Sequence, residues 1–339
     1  MAAGFKKATV RSGDVPATLT NYPTYVDLSR LGITTLAEAE SVRVYADSAK
    51  TTEWAREIVS LTEMHVKVPS LTSTVEIFVD WDGVRADYAV GATYGRNAVW
   101  SDYLVVLHMT TSPETNSTGK NAMTVNGTSD VSGQIGRGRN SNAGTHGITA
   151  DLSSDFASGS TGTISAWVKA RLATPTNGSY NMPFGLGFSA EDTNHYPFSN
   201  GLAYMSALRK NRVDNISLSA TVTRTNWHRL VITTSPVANG WKLYQNKILI
   251  TQTTGQTFTG SDLGAKLFVA LNANLVGIRR WDGDGDEYRV SETTFTSDWL
   301  DTEYNNQNAE STFWGTWTDA GGGGGGAAQA ARRGAVMMM

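Results

Sequence analysis

Short segments in which apolar and polar residues alternate recur along this 339-residue chain, and they constrain its fold more than any other feature. Segments 41–47 ("SVRVYAD"), 75–81 ("VEIFVDW") and 162–170 ("GTISAWVKA") place apolar side chains at every second position, which is the period of a strand with one buried face. Stretches rich in Gly, Ser, Thr and Asn separate these segments and favour turns. The pattern therefore predicts an all-β fold of many short strands.

The strand patterns of the second half are evenly spaced. They lie at residues 162–170, 226–235, 241–253, 265–273 and 286–292. Even spacing with polar turns is typical of a β-sandwich or jelly roll. Asn246 lies at the turn of a predicted hairpin inside the third pattern. One longer helix is predicted, over 296–307, where Thr296 can cap the first turn, and a last strand is predicted over 311–317.

Changes in composition divide the chain into three predicted parts. Residues 1–100 are predicted to form a small β domain, and residues 101–318 the sandwich with its closing helix. Residues 319–339 contain six consecutive glycines and end in three methionines. Polyglycine cannot offset the entropy lost on ordering, so this part is predicted to be a flexible C-terminal arm. The arm is either a disordered end or a segment that docks on a neighbouring subunit, with methionines fitting an irregular apolar groove.

Charge and composition exclude several classes of function. The formal net charge of −3 at pH 7 leaves no excess of basic residues for binding nucleic acid. The absence of cysteine excludes disulfides, thiolate metal sites and cysteine nucleophiles. No apolar run approaches the roughly 18 residues of a membrane span, and the first twenty residues contain no apolar signal-peptide segment. We therefore expect a protein that is made in the cytoplasm and binds neither nucleic acid nor a membrane interior.

One closing segment resembles a known family. Residues 286–314 ("DEYRVSETTFTSDWLDTEYNNQNAESTFW") resemble the end of bacterial and phage proteins in which a DUF2341 domain precedes a laminin-G-like, concanavalin A-like jelly roll. Segments 21–29, 65–83 and 102–109 are similar to strands of the DUF2341 domain, although Leu107 stands where that family usually has Trp. The resemblance covers roughly residues 15–315. It implies a small β domain followed by a jelly roll, with adhesive or structural roles that often include glycan binding, and it implies no reaction.

The acidic stretch 281–291 ("WDGDGDEYRVS") admits three interpretations. As an EF-hand loop it fails, because Glu287 stands where glycine is needed and Thr293 where a glutamate is needed. A calcium ion bound in another geometry would use Asp282, Asp284 and Asp286. A glycosidase would pair Asp284 with Asp286 or Glu287, since alternate residues on a strand face lie at a suitable separation. We favour a turn at Asp282–Gly285 leading into a strand whose acidic side chains bond loop backbone, with no cofactor and calcium as the alternative.

The loop 189–201 combines aromatic and amide side chains in the manner of a sugar site. Sugars stack on aromatic rings while amides and carboxylates bind their hydroxyl groups. The predicted glycan contacts are Asp192, Asn194, His195, Tyr196 and, as a platform, Trp241. The alternative is an ordinary loop between strands. The five histidines show no metal-ligand spacing, so we expect His108 and His228, which lie in strand patterns, to be structural.

These observations lead to one functional hypothesis and two alternatives. We expect a non-enzymatic structural and recognition protein, most plausibly a phage virion component such as a head decoration, fibre or tail appendage. Its partners would be its own subunits as a homo-oligomer or other virion proteins through the arm, together with a cell-surface glycan. Its location would be the virion, after release by lysis. The alternatives are a glycan hydrolase on the same fold and a bacterial cell-surface adhesin.

Overall fold

The computed structural model describes residues 3–111, 114–126, 128–142, 147–152, 161–171, 183–187, 206–210, 214–217, 225–252, 266–269 and 281–321. All strand pairs within these ranges are antiparallel, and they form several sheets. The prediction of an all-β fold is confirmed. Within the described ranges, no helix has the length and apolar character that a membrane crossing would require.

The first unit consists of two antiparallel sheets. One sheet has the order β22-β1-β7-β3-β4, with β1 Gly4–Thr9, β3 Arg43–Tyr45, β4 Glu53–Trp54, β7 Glu76–Trp81 and β22 Thr318–Asp319. The other has the order β2-β6-β5, with β2 Leu19–Asp27, β5 Arg56–Ile58 and β6 Glu63–Leu71. Their apolar faces share one core, in which Val26, Val66 and Val79 are fully buried. Helix α1 (Leu36–Glu40) begins at a capping box formed by Thr35 and Glu38, and α2 (Arg96–Val99) is one turn long.

The second unit is a sandwich around a separate core. Its larger sheet has the order β10-β11-β21-β13-β17-β18-β19, and β8 pairs with β21. The strands of this sheet are β8 Val105–Leu107, β10 Ser129–Ser132, β11 Arg137–Asn142, β13 Gly162–Ala170, β17 His228–Thr234, β18 Lys242–Gln245, β19 Ile248–Gln252 and β21 Asp282–Ser291. The smaller sheet has the order β14-β20-β12-β9: β9 Met123–Asn126, β12 Gly147–Asp151, β14 Phe184–Gly187 and β20 Lys266–Val269. Strands β15 (Ser206–Lys210) and β16 (Asp214–Ser217) form a separate hairpin. Phe184 and Ala150 from the smaller sheet pack with Ile164 and Leu230 from the larger one.

Strand β21 changes neighbours halfway along its length. On one side it pairs first with β11, through residues 282–285, and then with β8, through residues 288–290. Between these two halves the register with β13 shifts, and Glu287 has a left-handed φ of 50°. This is a β-bulge, which re-aims side chains and often lies beside functional sites. Because of the bulge, Tyr288 faces the core while both Asp286 and Glu287 face away from it.

The chain returns from the sandwich to the first unit at its end. Helix α3 (Ser297–Asn308) begins with Thr296, whose side chain accepts a hydrogen bond from the Trp299 amide, close to the predicted start. A single helical turn, α4 (Glu310–Phe313), and strand β22 follow, so the predicted strand over 311–317 is wrong. Phe313 belongs to the core of the first unit, and β22 pairs with β1. The closing segment therefore packs with the first unit, although it follows the sandwich in the chain.

Candidate functional site

Most of the residues predicted to contact a glycan lie outside the described residues. This applies to Asp192, Asn194, His195 and Tyr196. Trp241 is described, and it differs from the expected surface platform: its side chain is fully buried in the sandwich core. An indole in that position offers no ring face to a sugar in solution.

The three aspartates predicted for calcium lie on a strand rather than in a turn. Residues 282–285 pair with β11 on one side and, from residue 283, with β13 on the other, so the predicted turn at Asp282–Gly285 is wrong. The side chain of Asp282 lies outside the described residues. Asp284 accepts a hydrogen bond from Asn140 Nδ2 at 2.7 Å, and Asp286 accepts one from the Ile135 amide at 2.8 Å. The bond to Ile135 confirms that an acidic side chain here binds loop backbone.

The bulge in β21 instead brings Glu287 into a different cluster, which sequence reasoning missed. Strand β8 ends at Leu107, so the next residue, His108, lies beside the bulge. Strand β6 of the first unit supplies Glu63 and His65 from one face, because residues two apart on a strand point the same way. All four side chains are at most 3% exposed. The cluster therefore lies in the buried contact between the first unit and the sandwich.

The four side chains converge on one point. His65 Nε2 lies 3.2 Å from Glu63 Oε1 and 3.8 Å from Glu287 Oε1. His108 Nδ1 lies 3.4 Å from Glu63 Oε1 and also contacts Glu287 Oε1. One nitrogen or oxygen from each residue lies within 4.8 Å of the others, which makes this a possible metal-binding group among the described residues. The imidazole rings of His65 and His108 stack with their centroids 4.6 Å apart.

A fifth group, Glu57, holds the outer side of the cluster. It lies opposite His65 on β5, and its Oε2 is 3.0 Å from Nε2 of His108. The same carboxylate accepts hydrogen bonds from the Trp100 indole and from the Ser117 hydroxyl, the latter at 2.7 Å. These contacts fix the ring orientation of His108, so that its Nδ1 faces the centre of the cluster.

Two buried arginines continue the network towards α3. Arg289 donates to Glu287 Oε2 and, at 2.8 Å, to Glu303 Oε1, and its guanidinium lies 4.8 Å from the Trp100 ring centroid. Arg229 pairs with the other oxygen of Glu303 at 2.5 Å and donates to Gln307 at 2.6 Å. The two guanidinium charges are thus neutralised by Glu303 and Glu287.

Burial and neighbouring charges shift the pKa values of the groups in this cluster. Burial raises the pKa of Glu63 well above its usual range, and it does the same to the pKa of Asp286. Burial lowers the pKa of His65 well below its usual range. For His108 burial acts in the same direction, but the charges of Glu287 and Glu57 overcome it and raise the pKa of His108. For Glu287 burial acts to raise the pKa, but the charges of His108 and Arg289 overcome it and lower the pKa well below its usual range. Glu63, Asp286 and His108 therefore hold protons more tightly than exposed groups of the same type, whereas His65 and Glu287 lose them more readily.

A cavity of about 200 Å³ adjoins the cluster. Its lining includes Glu57 and His108 on the inner side and Arg56, Asp87 and Arg96 elsewhere. Of the four clustered residues, only His108 lines this cavity.

Sequence reasoning could not bring these residues together, although one signal was present. Glu63, His65, His108 and Glu287 are separated by up to 224 positions and have no metal-ligand spacing. His65 points away from Met64 and Val66, which lie in the core of the first unit, and its own face of the strand is buried against the sandwich. The available signal was His108, a polar residue that directly follows the buried run 104–107.

Comparisons with known proteins agree with the fold of the second unit. Residues 140–301 match the family model of the concanavalin A-like lectin/glucanases superfamily. No curated protein matches the sequence. The sialidase of Trypanosoma rangeli in complex with sialic acid is a similar solved structure, with 10% identity and a TM-score of 0.51 over 73% of this chain and 42% of that chain.

Two further solved structures show the same range of similarity. The same sialidase with 2,3-difluorosialic acid has 10% identity and a TM-score of 0.51, over 74% of this chain and 43% of that one. The binding domain of botulinum neurotoxin serotype D/C has 12% identity and a TM-score of 0.49, over 61% and 52%. This chain thus spans less than half the length of the sialidases. The resemblance of the first hundred residues to DUF2341 remains a prediction, whereas residues 140–301 match the concanavalin A-like family model and their described strands form a β-sandwich.

Proposed function

We propose that this chain is a non-enzymatic recognition protein that binds a carbohydrate through its sandwich domain. The match of residues 140–301 to the concanavalin A-like lectin/glucanases superfamily is the observation that carries the proposal. Fold alone does not fix function, so the proposal also needs a surface with suitable chemistry.

One such surface lies among the described residues, at the edge of the larger sheet. A cleft of about 380 Å³ lies between the turn after β17, strands β18 and β19, and the start of α3. Its lining combines hydroxyl, amide, ammonium and aromatic groups, from Thr233, Ser235, Asn239, Lys242, Tyr244, Gln252 and Phe295. Sugar sites combine polar groups of this kind with aromatic rings. The proposed glycan surface comprises this cleft and the loop 189–201.

The proposal that the protein is not an enzyme rests on the surroundings of Asp284, Asp286 and Glu287. A glycosidase needs two carboxyl groups that both reach the substrate. Asp286 is fully buried and bonded to the Ile135 amide, and Glu287 is fully buried against His108 and Arg289. Asp284 accepts a bond from Asn140. These positions favour recognition over the alternative of a glycan hydrolase.

We further propose that the protein is assembled on a phage particle as a decoration, fibre or appendage. This proposal rests on the resemblance of residues 286–314 to proteins of phages and bacterial surfaces. Mass spectrometry of gradient-banded particles from the source lysate tests it. We expect a fixed copy number per particle, and absence from the banded particles would favour the bacterial adhesin.

The carbohydrate proposal is tested with the full chain on a panel of immobilised glycans. We expect binding to at least one glycan, with a dissociation constant that rises about tenfold in Lys242→Ala with Gln252→Ala, or in His195→Ala with Tyr196→Ala. The control is Lys7→Ala, which removes a half-exposed lysine on β1 of the first unit. Hydrolysis of the bound glycan, lost in Asp284→Asn, would instead establish the enzyme.

A further inference from the structure

We propose that Glu63, His65, His108 and Glu287 bind one divalent transition-metal ion, of which zinc fits best, and that this ion joins the first unit to the sandwich. The inference is independent of glycan binding, because the four residues are buried and none of them lines the cleft proposed for a glycan.

The distances between the donor atoms fit a four-coordinate ion. Zinc bound at about 2.0–2.2 Å in a tetrahedron requires its ligand atoms to lie about 3.3–3.6 Å apart. The separations from Glu63 Oε1 to His65 Nε2 and to His108 Nδ1 are 3.2 and 3.4 Å. The separation from His65 Nε2 to Glu287 Oε1 is 3.8 Å. His108 Nδ1 and Glu287 Oε1, which are hydrogen-bonded to each other, would have to lose that proton and move apart to complete a tetrahedron.

The charge of the surrounding network calls for a cation. The buried network contains five carboxyl groups (Glu57, Glu63, Asp286, Glu287 and Glu303) and two guanidinium groups (Arg229 and Arg289). If all five carboxyl groups are ionised and both imidazoles are neutral, three negative charges have no partner. The alternative to a cation is protonation of Glu63, Asp286 and His108, whose pKa values are raised. Isolated buried charges are expensive, so they are paired, protonated or bound to a metal. One divalent ion would offset two of the three charges.

The two ligands that the sandwich supplies, His108 and Glu287, are each held in place by a neighbouring side chain, as ligands in metal sites usually are. Metal-bound histidines commonly donate their second ring N–H to a carboxylate. Glu57 occupies that position for His108, at 3.0 Å from Nε2. Arg289 holds Oε2 of Glu287 and leaves Oε1 facing the two imidazoles.

One unsatisfied buried atom gives a second, independent indication of a missing ligand. Oε2 of Glu63 is buried and has no hydrogen-bond partner. Buried polar atoms without partners are rare in folded proteins. Bidentate binding by Glu63 would provide a partner for its Oε2.

The donor set selects the class of metal. Imidazole with carboxylate suits zinc and its neighbours in the first transition row. Calcium requires six to eight oxygen ligands, and two of the four donors here are nitrogen. With four protein ligands in a closed, buried site, the role would be structural rather than catalytic.

The experiment measures metal in the full chain, purified without chelators, by inductively coupled plasma mass spectrometry. We expect about one zinc ion per chain. Removal of the metal should lower Tm by at least about 5 °C, and zinc should restore it. Cobalt added to the metal-free protein should give the visible absorption of a tetrahedral site. These three measurements use the unmutated chain, so they do not depend on whether a variant folds.

Variants then locate the ion. Glu57→Gln should weaken zinc binding about 10- to 100-fold, as outer-shell changes do, and Glu63→Gln or His108→Gln should weaken it further. The matched control is Glu38→Gln, a buried carboxylate in the capping box of α1, which should bind zinc as the unmutated chain does. The inference is overturned if no transition metal copurifies, cobalt gives no absorption and Tm is the same with and without zinc. It is also overturned if zinc binds but Glu63→Gln and His108→Gln leave its affinity unchanged.

Discussion

Arg289 is the residue that links the two charged halves of the buried network. It bonds to both Glu287 and Glu303, and its side chain is 1% exposed. Removing one partner from a buried charge group leaves the others uncompensated, which costs far more than breaking an ion pair on the surface.

Arg289→Met should therefore destabilise the protein by about 3–5 kcal/mol in urea unfolding. Arg11→Met provides the control, because Arg11 is 58% exposed in its pair with Asp14 and its loss should leave the free energy of unfolding nearly unchanged. Similar free energies of unfolding for the two variants would mean that the buried network contributes little to stability.

Glu310 should make stability depend on pH. Burial raises its pKa from 4.5 to about 7, although Arg30 beside it acts in the opposite direction. A raised carboxyl pKa means that the folded state binds the proton more tightly than the unfolded state does. Its contribution to stability is therefore complete below about pH 4.5 and is lost as the pH rises through 7.

Replacing this carboxyl with an amide should remove that pH dependence. Between pH 4.5 and 7.5, the free energy of unfolding of the unmutated chain should fall by roughly 3 kcal/mol more than that of Glu310→Gln. Urea unfolding at a series of pH values measures both slopes. Parallel profiles would show that the pKa of Glu310 is the same in the folded and unfolded states.

At the scale of elements, Asn306 attaches α3 to the first unit. Its Oδ1 accepts from the Tyr25 amide at 2.6 Å, and its Nδ2 donates to the Tyr25 carbonyl at 3.0 Å. The side chain thus satisfies both backbone groups of a residue on β2, in the manner of a neighbouring strand.

Asn306→Ala should cost about 1–3 kcal/mol, because it leaves the buried Tyr25 amide without this partner. The Tyr25 carbonyl keeps the hydrogen bond that the Trp314 indole donates at 3.0 Å. Asn308→Ala, on an exposed position of the same helix, should change the free energy of unfolding by less than about 0.5 kcal/mol. Equal effects of the two substitutions would show that α3 does not depend on this attachment.

The elements that could be predicted from the sequence are those with a local signal. Alternation predicted the strands containing Val44, Val79 and Ile164, and the cap at Thr296 predicted the start of α3 within a residue. Residues 282–285 were predicted as a turn because Asp-Gly repeats favour turns. In the structure they form a strand, since pairing with both β11 and β13 outweighs the local preference.

The candidate cluster could not be predicted in the same way. Its four residues come from three strands or strand ends, and the bulge at Glu287 determines that this side chain faces away from the sandwich core. Neither a long-range pairing nor a left-handed φ at a glutamate has a reliable local pattern. The strand after α3 was misassigned for a related reason: aromatic residues such as Phe313 fit a strand pattern, but here they fill the core of the first unit.

At the scale of the whole molecule, two of the contacts that join the two units among the described residues stand out. One is the buried cluster between β6 and β21, and the other is the closing segment from α3 to β22. We therefore expect one cooperative transition in scanning calorimetry, with the calorimetric enthalpy equal to the van't Hoff enthalpy. Two well-separated transitions would mean that the first unit and the sandwich are stable independently of each other.

Carbohydrate recognition by the sandwich is the central claim about this protein, and the glycan panel with the full chain tests it most directly. We predict saturable binding to at least one glycan that the paired substitutions in the cleft or in the loop 189–201 weaken and that Lys7→Ala does not. Absence of binding to every glycan, by a chain that calorimetry shows to be folded, would contradict the claim.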